Sequence, residues 1–170
     1  MDKKPKNTYL AFVAAFAIEM HGIPFSMWVI SWIVGKELPE GVFGGHTLVS
    51  WIGLNGMYLN IACAIIAFIL ILSSWRQIHK NYWSKDTGEG KLVKEGFYHY
   101  IRHPQYTGLL LLSFGMIAEW ATIPLLIMYP VMVLMYFRLA KQEEMDMLST
   151  FGEEYKTYMK DTKMLIPFFV

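Results

Sequence analysis

Apolar residues in this chain come in long blocks separated by short polar stretches, a pattern that predicts helices long enough to cross a bilayer. Residues 9–34 form a run of about 26 positions, roughly 39 Å as a helix, interrupted only by Glu19, His21 and Pro24. Residues 48–72 form a second run of about 25 without a formal charge. The stretch 104–139 is about 36 residues, or roughly 54 Å of helix, which is too long for one crossing. Glu119, Trp120 and Pro124 interrupt its middle, so it reads as a hairpin of two short helices, 104–119 and 123–139, with Pro104 suited to a first helical turn.

Two further polar pieces complete the pattern. Residues 80–100, with Gly88, Gly90 and Gly96, predict an interfacial loop feeding the hairpin. Residues 141–159 predict a helix that leaves the membrane, punctuated at Gly152. The fold class expected is therefore all-α and membrane-integral, with about four transmembrane helices including the short hairpin, plus a cytoplasmic C-terminal helix. There is no internal repeat or linker, so residues 1–170 are expected to form one domain. Within it, residues 1–75 supply the N-terminal spans and 90–170 the more polar half.

Composition sharpens this picture. The chain has 170 residues, 55% hydrophobic and 17% charged, which is more apolar than an ordinary soluble domain. Lys and Arg number three before the first run, one (Lys36) between the first two, six over 76–102, none at the hairpin turn and five from Arg138 onward. That asymmetry predicts a multi-pass protein with both termini and the 73–103 loop cytoplasmic, in the cytoplasmic membrane if the host is prokaryotic. The Lys-rich start is not read as a secretory signal, because the following apolar run is too long and lacks a small-residue cleavage site.

A net charge of +1 gives no reason to invoke nucleic acid, since topology and anionic lipid account for the juxtamembrane lysines. The single Cys63 excludes an internal disulfide and a Cys-based zinc site, and is expected to pack. His99 and His103 have i, i+4 spacing, but Pro104 interrupts the helix and no third ligand is evident, so no metal is expected. Gly41, Gly44 and Gly45 do not form GxGxxG.

The chemistry-bearing residues cluster at the hairpin's two ends. Arg102 and His103 precede it, flanked by Tyr98, Tyr100 and Tyr106, with Gly96 and Gly108 permitting close approach. A lone Arg in such a place snorkels to headgroups. Here the hairpin returns the chain to the same face at Glu143-Glu144, two adjacent carboxylates about 100° apart on a helix, so at most one is expected to face a pocket squarely. Leu148, Phe151, Tyr155 and Tyr158 then form a near-helical stripe suited to packing.

The series Gly96, Tyr98, Arg102-His103-Pro104, Tyr106 and Gly108, then Glu143-Glu144, Leu148, Phe151-Gly152, Tyr155, Tyr158 and Pro167, resembles the isoprenylcysteine carboxyl methyltransferase and phospholipid methyltransferase superfamily. The likeness covers about residues 92–167, and it implies that 90–170 is the cofactor-binding half and 1–75 the acceptor side. It implies a membrane-embedded methyltransferase using S-adenosylmethionine, with Tyr98, Arg102, His103, Tyr106, Gly108, Glu143, Glu144 and Tyr155 as cofactor-binding positions. On the same basis Arg102 pairs with a carboxylate of cofactor or substrate, and Arg102 and Glu144 are catalytic candidates. Carboxylates and aromatic faces suit a sulfonium, and a guanidinium suits an amino-acid carboxylate.

The acceptor implied is a lipidic or membrane-partitioned small molecule presenting a carboxylate, amine or thiol, with membrane lipids as the other partners. The short chain looks more like a prokaryotic relative. Glu19 falls mid-span, where a charge costs roughly 3 kcal/mol, so it is expected to face the bundle. It is the third catalytic candidate, as lining of the acceptor pocket with or without His21. A structural hydrogen bond to Asn55, Asn60 or backbone is the alternative. Membrane reductases related to steroid 5-alpha-reductase carry a similar His-Pro-x-Tyr-x-Gly turn, commonly with Asn where this chain has Gln105, and a non-catalytic scaffold is the remaining reading.

Overall fold

The computed structural model describes residues 29, 32–33, 56–81, 91–119 and 123–166. Among the described residues the regular structure is helical: α1 (Gly56–Asn81), a 3-10 turn (Gly96–His99), α2 (Pro104–Glu119), α3 (Ile123–Phe151) and α4 (Glu153–Asp161). Val29, Trp32 and Ile33 are helical as well, but most of the first apolar run, with Glu19 and His21, lies outside the described residues.

Helix α2 has the bounds its sequence predicts, beginning at Pro104, where a missing N–H costs nothing. The His103 carbonyl opens it by accepting from the Thr107 amide at 3.1 Å. Helix α3 begins at Ile123 as expected but does not end at Leu139. It runs for 29 residues through Glu143 and Glu144 to Phe151, so the hairpin's second arm is not short. Lys141, Gln142, Glu143 and Glu144 are good helix formers, so the helix outlasts its own apolar stretch. It stops at Gly152, whose φ of +54° breaks it from α4.

Two of these helices, over Gly56–Ile78 and Leu125–Phe151, are long and apolar enough to cross a membrane. On α1 the large side chains of Ile61, Ile65, Phe68, Ile69, Leu72 and Trp75 are exposed along one face of the helix, opposite buried Cys63, Ala67, Leu70 and Ser74. So broad an apolar surface suits hydrocarbon as solvent.

The chain divides into two compact units. Among the described residues the first holds 56–64, 110–119 and 123–136, together with 29 and 32–33. Its core is Cys63, Ile117, Ala118, Leu125, Met132, Met135 and Tyr136. Close helix approach builds it: a Cβ on Gly56 would lie 2.4 Å from the Ala118 carbonyl oxygen, and one on Gly115 would lie 2.8 Å from Cys63 Cβ. Small residues at such crossings let backbones pack where no hydrophobic effect drives helices together. Cys63 is thus a packing residue, as expected.

The second unit holds 65–81, 91–109 and 137–166 among the described residues. Ala67, Leu70, Tyr98, Ile101, Leu139, Ala140, Tyr155, Tyr158, Met164 and Leu165 form its core. Its distinguishing feature is a C-terminal strap, residues 162–166, laid along the segment before α2. Arg102 N–H donates to the Lys163 carbonyl at 2.8 Å, His103 N–H to Met164 at 3.1 Å, and Lys163 N–H to Tyr100 at 3.2 Å. These bonds make a short parallel bridge between Ile101 and Lys163. The Thr107 hydroxyl adds a 2.5 Å bond to the Leu165 carbonyl.

Candidate functional site

The predicted polar residues of the second unit converge on one imidazole. His103 ends the loop entering α2, and Pro104 fixes the backbone beyond it. Its side chain is only 9% exposed, with Nδ1 3.5 Å from Glu143 Oε2 and Nε2 3.6 Å from Glu144 Oε1. Both glutamates therefore engage the site, although adjacent helical positions diverge by about 100°. The imidazole reconciles them because its two nitrogens lie on different edges of the ring, one toward each carboxylate. At 3.6 Å the Nε2 contact is an ion-pair distance rather than a hydrogen bond, and Nε2 is buried without a hydrogen-bond partner.

Each carboxylate has a second partner. Glu144, 6% exposed, accepts from Arg102 Nε at 2.5 Å, and the Arg102 side chain is 8% exposed. Glu143, 34% exposed, accepts from the Tyr106 hydroxyl. The Tyr106 ring stacks on His103, with centroids 5.4 Å apart and planes 4° from parallel. The result is an ordered series: Tyr106, Glu143, His103, Glu144, Arg102.

Arg102 also reaches the chain's C-terminal part. Its Nη1 donates to the Met159 carbonyl at 3.2 Å and to the carbonyl of Thr162, with the Thr162 hydroxyl at 3.4 Å. The guanidinium the sequence suggested for a ligand carboxylate is thus placed on Glu144 and on the carbonyls of Met159 and Thr162. Sequence reasoning missed Thr162 and Leu165, which contribute main-chain carbonyls that every residue type carries.

Tyr155 and Tyr158 on α4 are buried beside this series, rings 5.7 Å apart. The Tyr158 hydroxyl donates to the Tyr98 carbonyl at 2.5 Å, tying α4 to the 3-10 turn. Burial, aided by nearby Tyr158 and Glu143, pushes the Tyr98 phenol up. Burial and Glu144 likewise raise Tyr155, against an opposing effect from Arg102. Burial pushes Tyr158 up to about 12, with Arg102 again opposing. All three phenols stay neutral near pH 7. For His103, burial disfavours the cation, but the close approach and negative charge of Glu143 and Glu144 outweigh it and hold its pKa above the ordinary value.

The glycines serve packing. A Cβ on Gly108 would lie 2.7 Å from Ile71 Cγ1 and 3.0 Å from the Ala67 carbonyl, so this position lets α2 approach α1. Gly96, at φ +61°, leaves room for the Gln77 side chain, whose amide nitrogen would be 1.8 Å from any Cβ there. His99 is exposed and meets Tyr100 edge-on, whereas His103 is buried. Among the described residues no group of three or more His, Cys, Asp or Glu side chains is arranged so that it could hold a metal ion.

A family model described as phospholipid methyltransferase matches residues 55–154, more than half of the chain. The chain belongs to this family. The match takes in the Arg102–Tyr106 segment and both glutamates, and stops before the strap. Among curated relatives, a methanethiol S-methyltransferase from Crocosphaera subtropica is 24% identical over 96% of this chain and 61% of its own length. A protein-S-isoprenylcysteine O-methyltransferase from Rattus norvegicus is 25% identical over 96% of this chain and 57% of its own. A methanethiol S-methyltransferase from Pseudomonas deceptionensis reaches 36% identity over 41% of this chain and 26% of its own length. The chain spans about three-fifths of the first two relatives' length.

Proposed function

We propose that this chain is an integral-membrane, S-adenosylmethionine-dependent methyltransferase acting on a lipidic or membrane-partitioned small acceptor. The observation that carries the reading is the buried imidazole of His103, held between two carboxylates and beside Tyr106 in a member of the phospholipid methyltransferase family. The donor set fits the cofactor: carboxylate charge suits a sulfonium, and the unpartnered Nε2 suits a ligand hydrogen-bonding group. Bound there, S-adenosylmethionine supplies an activated methyl group on a positively charged sulfur.

In this reading the protein's work is positioning. Glu143, the more exposed carboxylate, and His103 face the ligand, with Tyr106 holding the Glu143 rotamer. Arg102 and Glu144, buried against each other, act behind them by fastening the strap over the site. Tyr98, Tyr155 and Tyr158 exclude water. Fixed alignment in a dry pocket supplies most of what methyl transfer requires.

The acceptor class is a carboxylate, amine or thiol that partitions into the bilayer. Relatives named for methanethiol sulfur and for isoprenylcysteine oxygen both fall within it. In this reading the protein is multi-pass with both termini and the 73–103 loop on the cytoplasmic side, an orientation that the Lys and Arg distribution favours. Glu19, outside the described residues, stays a candidate for the acceptor pocket.

The test is thermal unfolding of the detergent-purified chain with S-adenosylhomocysteine, alongside methyl transfer from labelled S-adenosylmethionine to a lipid extract. Ligand at about 100 times its Kd stabilises by about 2.7 kcal/mol, which is readily seen. No stabilisation and no labelled product would reject the reading, and stabilisation by a nicotinamide cofactor instead would point to a reductase.

A further inference from the structure

The polar series of the second unit has a charge count with a consequence for binding. Arg102 contributes +1, and Glu143 and Glu144 each contribute −1. With His103 protonated the four side chains sum to zero, and with it neutral they sum to −1. The groups facing His103 from each packed element leave little else to change. Arg102 on its own loop is committed to Glu144, and Tyr106 on α2 donates to Glu143. The two glutamates come from α3, and the strap presents the Met164 carbonyl to the His103 backbone N–H. Tyr98 on the 3-10 turn and Tyr155 and Tyr158 on α4 stay neutral. Among these groups the imidazole is the one whose charge changes near pH 7.

We propose that His103 gives up its proton when a sulfonium donor binds, so that the site tells the cationic donor from its neutral thioether product by charge. This inference rests on the methyltransferase reading above. Two cations beside each other in a water-poor pocket disfavour one another, and release of one proton restores neutrality. The balance is simple: imidazolium plus sulfonium donor give neutral imidazole with the donor bound, and one proton goes to solvent. A thioether carries no charge on sulfur, so its binding leaves the proton on His103. After methyl transfer the sulfur is neutral, so His103 takes a proton back and the site returns to the charge it has without ligand. The unpartnered Nε2 at the ring's buried edge provides for both states, because it can accept from a ligand or carry the proton toward Glu144.

The experiment is calorimetric titration of the full chain in detergent with S-adenosylmethionine and, separately, S-adenosylhomocysteine. Each is run from about pH 6 to about pH 8.5 in buffers of different ionisation enthalpy. The two ligands share their amino-acid and nucleoside parts, so the difference between them isolates the sulfur. S-adenosylmethionine is expected to release up to one proton at the acid end, its affinity rising by up to about tenfold per pH unit and levelling once His103 is neutral. The homocysteine ligand should show a shallower slope. His103→Asn should abolish the difference in slope. Should that variant fail to fold, Glu143→Gln keeps the imidazole and should move the donor's rising limb to lower pH.

Parallel slopes for the two ligands, or a difference that survives His103→Asn, would overturn the proton exchange alone. So would a rising limb unmoved by Glu143→Gln. Binding of neither ligand at any pH would overturn the methyltransferase reading itself.

Discussion

Glu144 in the second unit accepts from a guanidinium at 2.5 Å and lies beside an imidazole, whereas Glu119 in the first accepts from the side-chain amide of Asn60. One carboxylate is matched by charges and the other by a neutral dipole. The surroundings differ in kind as well. Long-range hydrogen bonds from Arg102, Thr107 and Tyr158 stitch the second unit, while the first adds close approach at Gly56 and Gly115 to its Asn60–Glu119 bond. Charge compensation in a buried place makes each partner indispensable to the other, and a dipole partner does not. The unit that carries the candidate chemistry is thus the one with more to lose from a single polar substitution.

The largest effect that would test this contrast is Arg102→Met, which leaves Glu144 buried without its cation. A loss of about 3–5 kcal/mol is expected, measured by unfolding in detergent. Replacing Arg102 and Glu144 by Met together should recover part of it, since no unpaired charge remains. A single variant as stable as the wild type would erase the distinction between the units.

Packing comes next. Gly108→Ala in the second unit and Gly56→Ala in the first each force a Cβ into occupied space and should cost about 1–3 kcal/mol. Gly56→Ala belongs at the upper end because its nearest obstacle is backbone at 2.4 Å, whereas Gly108 meets a side-chain carbon of Ile71 first, at 2.7 Å. A smaller change is expected from Asn60→Leu, about 1 kcal/mol, because it removes one amide donor from Glu119.

The smallest effect is on pH dependence. The pKa of His103 is raised in the folded protein, so its protonation adds stability that is complete below about pH 6.5 and fades as pH climbs through the folded value. The wild-type Tm should decline over that window, and His103→Asn should flatten the decline. A Tm rising with pH over the same window would contradict the two-carboxylate arrangement around the ring.

Much of the second unit was legible from residue order. The start at Pro104 and the break at Gly152 are written in residues with definite backbone effects. The gathering of Arg102, His103, Tyr106, Glu143 and Glu144 followed from the hairpin reading and the motifs. The end of α3 was not legible, because a switch from apolar to polar residues marks a change of solvent and not of conformation. Nor could spacing show that one ring would serve two adjacent glutamates, or that Gly108 would be spent on contact with α1. Tertiary packing decides both. The strap was the least legible part, since its bonds come chiefly from backbone carbonyls that no side chain advertises.

That strap also sets a timetable. Arg102 finds its carbonyl partner 60 residues later in the chain, at Thr162. At about 5–20 residues per second of synthesis, roughly 3–12 seconds separate the making of the two. The helices on either side can form locally in far less time. During translation Arg102 and His103 must therefore wait, fully made, for a partner that does not yet exist, and the site becomes whole only as the strap arrives.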